Sequence, residues 1–270
     1  MVRGNLAHSH APAGGAMMML DRNTPSWHFQ RGKFRIRPEI HRTTMKGWCP
    51  MSTRRNIADD GFAPWLLEGA LLDHGYPRIK PLPSTVPMPR DLVPFDKRNK
   101  TTNRHAFIHF YEDDTRFRAL AANPDRYIPK LREFDGVIAP DFSLYWNAPL
   151  PVLQANVYRS RIIGHYFQRV GLPVVPNVRW GDERTFDFCF RGIAQHSMVA
   201  ISTVGCISSR KEKQLFSSGL DAMMTALKPS RVIVNGIMPA EVFGQYWEDA
   251  EFRTYASWTH RTKEHRYGNR

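Results

Sequence analysis

The sequence predicts an α/β fold, a parallel sheet of about five βα units that is either barrel-like, in the manner of a partial TIM barrel, or an open doubly wound sheet, with an irregular N-terminal arm. Three observations predict it. From about residue 103 to residue 244, short β-prone runs alternate with helical stretches. Helix-start and helix-stop signals fall between them, notably Asn123-Pro124, Gly171 and Lys228-Pro229. Polar residues gather just after each β-prone run, at the one end of a parallel sheet where the connecting loops converge.

Residues 1–55 read as a basic, partly disordered arm. The opening 22 residues are rich in Gly, Ala and His and lack a hydrophobic period, and Met17, Met18 and Met19 offer an internal translation start. Residues 56–100 read as a helix followed by a proline-rich connector. GFAPWLLEGALLDH, 61–74, carries Trp65, Leu66, Ala70 and Leu72 between flanking glycines, which suits a short amphipathic helix. Six prolines in PRIKPLPSTVPMPRDLVPFDK then remove backbone donors and keep the chain extended.

Residues 101–250 read as the α/β domain. Its expected strands are 105–110, 136–139, 173–178, 197–202 and 231–235. Asn123 caps a helical stretch whose first-turn proline is Pro124, and Pro129 interrupts it. Helices are expected over 150–170 and 210–227, and another from Pro239. Residues 251–270 read as a basic C-terminal tail.

The net charge of +13 resides in the ends. Residues 1–55 hold ten Lys and Arg against two acids, and 252–270 hold five against one, whereas 56–251 hold 23 against 22. Basic ends of this kind attract phosphate by counterion release, which makes DNA or RNA a candidate partner; solubilising tails are the plain alternative. No run of about 18 to 20 apolar residues spans a bilayer, and no signal-peptide core is evident, so a soluble, cytoplasmic protein without a membrane partner is expected. Three cysteines, Cys49, Cys189 and Cys206, fit a reducing compartment and small buried thiols. Neither CxxC nor HExxH occurs, so no metal site is expected; neither a P-loop nor a GxGxxG fingerprint follows a strand, and no cofactor is assigned.

The residues that follow the expected strands are the candidates for chemistry. Asp141 follows a buried-looking strand and precedes an aromatic run, so capping explains it less well than its neighbours. With Glu183 and Asp182 it makes the catalytic set, since carboxylates in different loops can divide general acid and base work. Asp113, Asp114, Arg159, Trp180, Thr203 and Asn235 make the substrate-binding set, with Trp180 as a stacking wall and an arginine as anion holder. Asp113, Asp114 and Asp182 also suit helix caps. Arg159 and Arg161 point about 200° apart on one helix, so only one of them faces the sheet.

The segments DLVPFDK, FDGVIAPDFSLY, NVYRSRIIGHYFQ, VVPNVRWGDERTFDFCFRGI, VAISTVGC and LKPSRVIVNG resemble the uncharacterised bacterial and phage family termed domain of unknown function 4417, over roughly 91–239. The resemblance implies a phage or mobile-element protein and brings no catalytic residues with it. Two readings stay open. One is an enzyme acting on a small-molecule, nucleotide-like or nucleic-acid substrate at the C-terminal ends of the strands. The other is a non-catalytic accessory protein that binds nucleic acid through its basic ends.

Overall fold

The computed structural model describes residues 64–261. The arm expected over 1–55 and residues 262–270 of the expected tail lie outside the described residues, and with them most of the basic ends expected to bind DNA or RNA.

Proline and glycine decide the first elements. The 3₁₀ turn Pro64–Leu67 leads to a two-stranded antiparallel ribbon, β1 (Leu72–Asp73) with β2 (Tyr76–Pro77). This corrects the helix expected over 61–74. Gly69 and Gly75 take φ of +71° and +88°, a left-handed conformation that ends a helix instead of continuing it.

Seven parallel strands follow: β3 (Leu92–Pro94), β4 (Phe107–His109), β5 (Gly136–Ile138), β6 (Val174–Val175), β7 (Met198–Ser202), β8 (Arg231–Asn235) and β9 (Glu251–Tyr255). They pair in chain order, β3-β4-β5-β6 in one sheet and β7-β8-β9 in the other. A parallel bridge between Asn177 and Ala200 joins the two, with Val178 N–H donating to the Ala200 carbonyl at 2.8 Å and Ala200 N–H to the Pro176 carbonyl at 3.0 Å. Among the described residues no ladder connects β9 back to β3, so the sheet is open, although its chain-order succession is that of a barrel. Side chains span the seam instead. The Tyr255 hydroxyl donates to the Pro89 carbonyl at 2.6 Å, and Arg261 donates to Asp91 Oδ1 and to the Leu92 carbonyl, each at 2.6 Å.

The helices that return the chain are α1 (Arg118–Ala122), α2 (Ile128–Leu131), α3 (Leu150–Arg169), α4 (Phe186–Cys189), α5 (Arg210–Leu227) and α6 (Ala240–Phe243). The two long ones match the helices expected over 150–170 and 210–227 and end at their predicted stop signals, Gly171 and Lys228-Pro229. Ser209 and Glu212 close a reciprocal capping box at the start of α5. Two strands exceed the expected 101–250 domain: β3 lies in the proline-rich connector, and β9 lies in the segment expected to be a tail. Both are edge strands. Pro94 and the exposed Glu251 and Arg253 are the residues edges tolerate, and they mask the β signature in the sequence.

Side-chain alternation sorts the strands' residues into two faces. Leu92, Phe107, Ile138, Val175, Met198, Ala200, Ile233 and Tyr255, drawn from all seven parallel strands, form one apolar cluster on the inner face. Their neighbours in sequence point outward. Ile108, Val137 and Val174 join the cluster that packs on α3, while Val199, Ile201, Val232 and Val234 join the cluster that packs on α5 and α6. All seven parallel strands thus share one inner apolar layer, and its polar continuation at the strand ends defines a mouth. Among the described residues no helix is long and apolar enough to cross a membrane.

Candidate functional site

The inner-face alternation continues past the apolar layer into polar residues. After Phe107 come His109 and Tyr111; after Val175 come Asn177 and Arg179; after Ala200 comes Ser202, and after Ile233 comes Asn235. His109, Asn177, Ser202 and Asn235 are all buried. A buried polar layer is tolerated only when its groups are paired, so the unpaired atoms are informative.

Asp141, in the loop after β5, is the hub. It is 7% exposed, accepts a hydrogen bond from Asn177 Nδ2 at 2.7 Å and pairs with the Arg179 guanidinium at 3.5 Å. Burial raises its pKa above the usual carboxylate range; Arg179 and Asn177 oppose that without cancelling it. Burial alone would lower the pKa of Arg179, but Asp141 together with Cys206, Tyr111 and Asp114 outweighs it and keeps the guanidinium charged. That ion pair takes at most two of the five N–H donors.

Tyr111 stacks on His109 with ring centroids 5.3 Å apart. Its backbone N–H donates to His109 Nδ1 at 3.1 Å, so a neutral imidazole carries its proton on Nε2. Burial, assisted by Arg261, lowers the His109 pKa to about 3, which keeps the ring neutral. Burial, reinforced by Asp141, raises the Tyr111 phenol well above its ordinary value. His109 Nε2, the Tyr111 hydroxyl and Asn177 Oδ1 are buried and have no hydrogen-bond partner among the described residues. Of these, the Tyr111 hydroxyl and Asn177 lie beside the Asp141–Arg179 pair, whereas the charged neighbours of His109 are Arg261 and Asp96. Cys206 lies beside Arg179 and Asp141, and burial raises its thiol pKa, so it stays protonated.

A carboxyl pair lies at the ends of β3 and β4. Asp96, after β3, accepts from Lys97 Nζ and from Arg116, each at 2.6 Å, while its backbone N–H donates to Glu112 Oε2 at 3.1 Å. Burial and a shared hydrogen bond with Asp96 push the Glu112 pKa up to about 7. Burial would also raise Asp96, but its bonds to Glu112 and Lys97 outweigh that and lower it.

A cleft of about 690 Å³ opens over the ends of β7, β8 and β9. Thr203, Val204, Gly205, Ile207 and Ser208 line one wall; Gly236, Ile237 and Met238 line another, and Ala256, Ser257 and His260 a third. The 203–208 loop is shared, because Cys206 within it faces Arg179 while its neighbours face the cleft. Gly236 takes φ +117° with its α-carbon against the Thr203 hydroxyl, an approach that a Cβ would block.

Residues 73–256 match the family described as Domain of unknown function (DUF4417). The chain belongs to this family. The matched span contains β3 to β9 and the residues of the mouth and cleft, apart from Ser257, His260 and Arg261. The chain is similar to the Gene 1 protein of Mycobacterium phage L5, 39% identical over 129 residues, which cover 48% of this chain and 56% of that protein. It is also similar to the Gene 1 protein of Mycobacterium phage D29, 38% identical over 129 residues, covering 48% of each. The chain spans about half the length of these curated relatives. No solved structure matches.

The DUF4417 framework sorts the residues singled out from sequence. Asp141, Thr203 and Asn235 belong to the mouth. Thr203 Oγ1 donates to the Ile237 carbonyl at 2.8 Å, and Asn235 Nδ2 donates to Ser202 Oγ at 3.1 Å. Asp114 holds the neighbouring loop by accepting from the Ser143 hydroxyl and N–H at 2.9 and 3.2 Å. Asp113 and Asp182 cap 3₁₀ turns, accepting from the N–H groups of Thr115 and Arg184.

Three candidates sit elsewhere. Asp141 takes Asn177 and Arg179 as partners rather than Glu183, which is exposed on the turn Glu183–Thr185. Trp180, expected as a stacking wall, is buried against Phe216, because its position after Arg179 turns it to the outer face. Arg159 donates to Asn156 on its own helix at 3.1 Å. The helix-face argument holds through Arg161, which is buried and donates to the carbonyls of Arg191, Asn177 and Cys189 at 2.8, 3.0 and 2.7 Å. His109, Tyr111, Asn177 and Arg179 complete the mouth. The period of two along each strand was the signal that finds them. Among the described residues no group of three or more His, Cys, Asp or Glu side chains is arranged to hold a metal ion.

Proposed function

We propose that this phage-type DUF4417 protein is an acid–base enzyme that takes a nucleotide-sized polar substrate at the C-terminal ends of its strands. One observation carries the reading: the buried Tyr111 hydroxyl and Asn177 Oδ1 are unpartnered among the described residues, and both residues lie beside a carboxylate whose pKa burial has raised. In this reading Asp141 exchanges a proton with a substrate hydroxyl or water. His109 Nε2–H and the Tyr111 hydroxyl donate to a substrate oxygen, and Asn177 Oδ1 accepts from a substrate N–H or O–H. Arg179 keeps Asp141 oriented and offers its remaining donors to negative charge that develops during reaction. The adjoining cleft, at about 690 Å³, has the size of a small-molecule site and mixes Val204, Ile207, Ile237 and Met238 with Thr203, Ser208 and Ser257.

The test uses the full chain and a panel of nucleosides, nucleotides and their sugar phosphates, read by thermal shift for binding and by mass spectrometry for conversion. At least one compound is expected to stabilise the protein and to be converted. Asp141→Asn should retain binding and lose conversion by about 100-fold or more. Conversion that survives Asp141→Asn, or a panel in which no compound binds, would count against the proposal.

A second reading, nucleic-acid binding without catalysis, is favoured by the charge distribution, with +8 in residues 1–55. It requires that oligonucleotide binding fall steeply with salt and disappear when residues 1–55 are removed.

A further inference from the structure

Away from the mouth, on the outer side of the sheet beside β3, lies a second cavity, of about 270 Å³, lined by Arg98, Asn99, Arg126, Tyr127 and Lys130. Three of the five lining residues are cations, and none is a carboxylate. We propose that this cavity is a phosphoryl-anion site, in which Arg98, Arg126 and Lys130 hold the oxygens of one phosphate group, either free or part of a nucleic-acid backbone.

The geometry builds Arg98 as a fixed ligand. Its guanidinium lies 3.8 Å from the centroid of the Phe95 ring and 5.1 Å from that of Tyr127, and it donates to the Phe95 carbonyl at 2.6 Å. Stacking fixes the plane of the fork, and a fixed planar fork matches phosphate oxygens. The carboxylates on this side have other direct partners. Glu133 is shared between Lys130 at 2.8 Å and Arg104 at 3.1 Å, so one carboxylate serves two cations. The Asp125 carboxylate, next to Arg126 in sequence, takes the Tyr166 hydroxyl. Among the described residues no carboxylate pairs with Arg126 or with Arg98. Burial lowers the Arg98 pKa; Tyr127, Glu112 and Asp96 oppose that, and like-charge repulsion from Arg126 adds a smaller lowering. The volume is below the roughly 300–1,000 Å³ of drug-sized ligand sites, which suits a phosphoryl group rather than a whole nucleotide.

The test compares inorganic phosphate with chloride at equal ionic strength, by thermal shift and isothermal titration on the full chain. Wild type is expected to bind phosphate. Arg126→Ala combined with Lys130→Ala should weaken that binding by about tenfold or more, since each removes a charge-assisted hydrogen bond. A control that removes two remote surface charges, Lys213→Ala with Arg253→Ala, should leave it unchanged. Neither pair of substitutions touches the core, so both variants should fold. Equal phosphate binding by wild type and the Arg126/Lys130 variant, equal losses in both variants, or no binding by wild type would overturn the proposal. A second arm identifies the source of the phosphate. If a labelled single-stranded oligonucleotide at fixed salt also loses about tenfold in the Arg126/Lys130 variant, the site reads a nucleic-acid backbone. If only inorganic phosphate is affected, the ligand is a free phosphoryl group.

Discussion

Glu112→Gln isolates the proton shared by the Asp96–Glu112 pair. Burial and the bond to Asp96 hold Glu112 at about 7 against an ordinary 4.5. A carboxyl with a raised pKa binds its proton more tightly in the folded state, so its contribution to stability is fully present below about pH 4.5 and is lost as pH rises through about 7. The full difference corresponds to a ceiling of about 3.4 kcal/mol. The side chain is only half-buried, and solvent screening reduces the expected loss to about 1 kcal/mol. Glutamine imitates the protonated acid: its carbonyl accepts from Asp96 N–H and its amide donates to the Asp96 carboxylate. Urea denaturation should therefore give variant and wild type equal stability at pH 5, with the variant more stable by about 1 kcal/mol at pH 8.5. Asp96, whose pKa is lowered, titrates below this window and does not interfere. A gap that is constant with pH, or one that widens toward pH 5, would refute the assignment of a shared proton.

Further outcomes follow from the core. Arg161→Met leaves the carbonyls of Arg191, Asn177 and Cys189 without their donor, and thermal or urea denaturation should show a loss of about 2–4 kcal/mol. Arg161→Lys should recover only part of it, since an ammonium cannot span three acceptors in the guanidinium plane. At Gly219 an added Cβ would overlap the Trp180 indole. Overpacking of about 1–3 kcal/mol then exceeds the gain of up to about 1 kcal/mol that alanine brings to a helix, so Gly219→Ala should destabilise, with a shift in Trp180 fluorescence.

The parts of the fold legible from sequence are those with strong local signals. α5 begins at a capping box and ends at Lys228-Pro229, α3 carries its own proline start and Gly171 stop, and β7 and β8 are continuous apolar runs. β3 and β9 were hidden because edge strands need not look like strands: one ends in Pro94, and the other carries Glu251 and Arg253. The same limit applied to the site. Residues immediately after the strands include Asp141, which the structure brings against Asn177 and Arg179. Position after a strand does not fix the face, however. Trp180 and Arg179 are adjacent, and alternation sends the first into the core and the second into the mouth. Caps such as Asp113 and Asp182 are local and readable; the Asp141–Asn177–Arg179 contact joins two loops whose proximity only the sheet order reveals.

The measurement that bears most directly on the mouth as a functional site is the stability of Tyr111→Phe. A hydroxyl that is buried without a partner costs about 1–3 kcal/mol, a cost retained at a site that needs the group for binding or chemistry. Removing it should raise the stability of the protein alone by about 1 kcal/mol, a rise of about 2–4 °C in Tm for a domain of this size, while abolishing any stabilisation that the wild type gains from substrate. A Tyr111→Phe protein that is less stable than wild type by 1 kcal/mol or more would contradict the account, since the hydroxyl would then be part of the scaffold and not of a binding site.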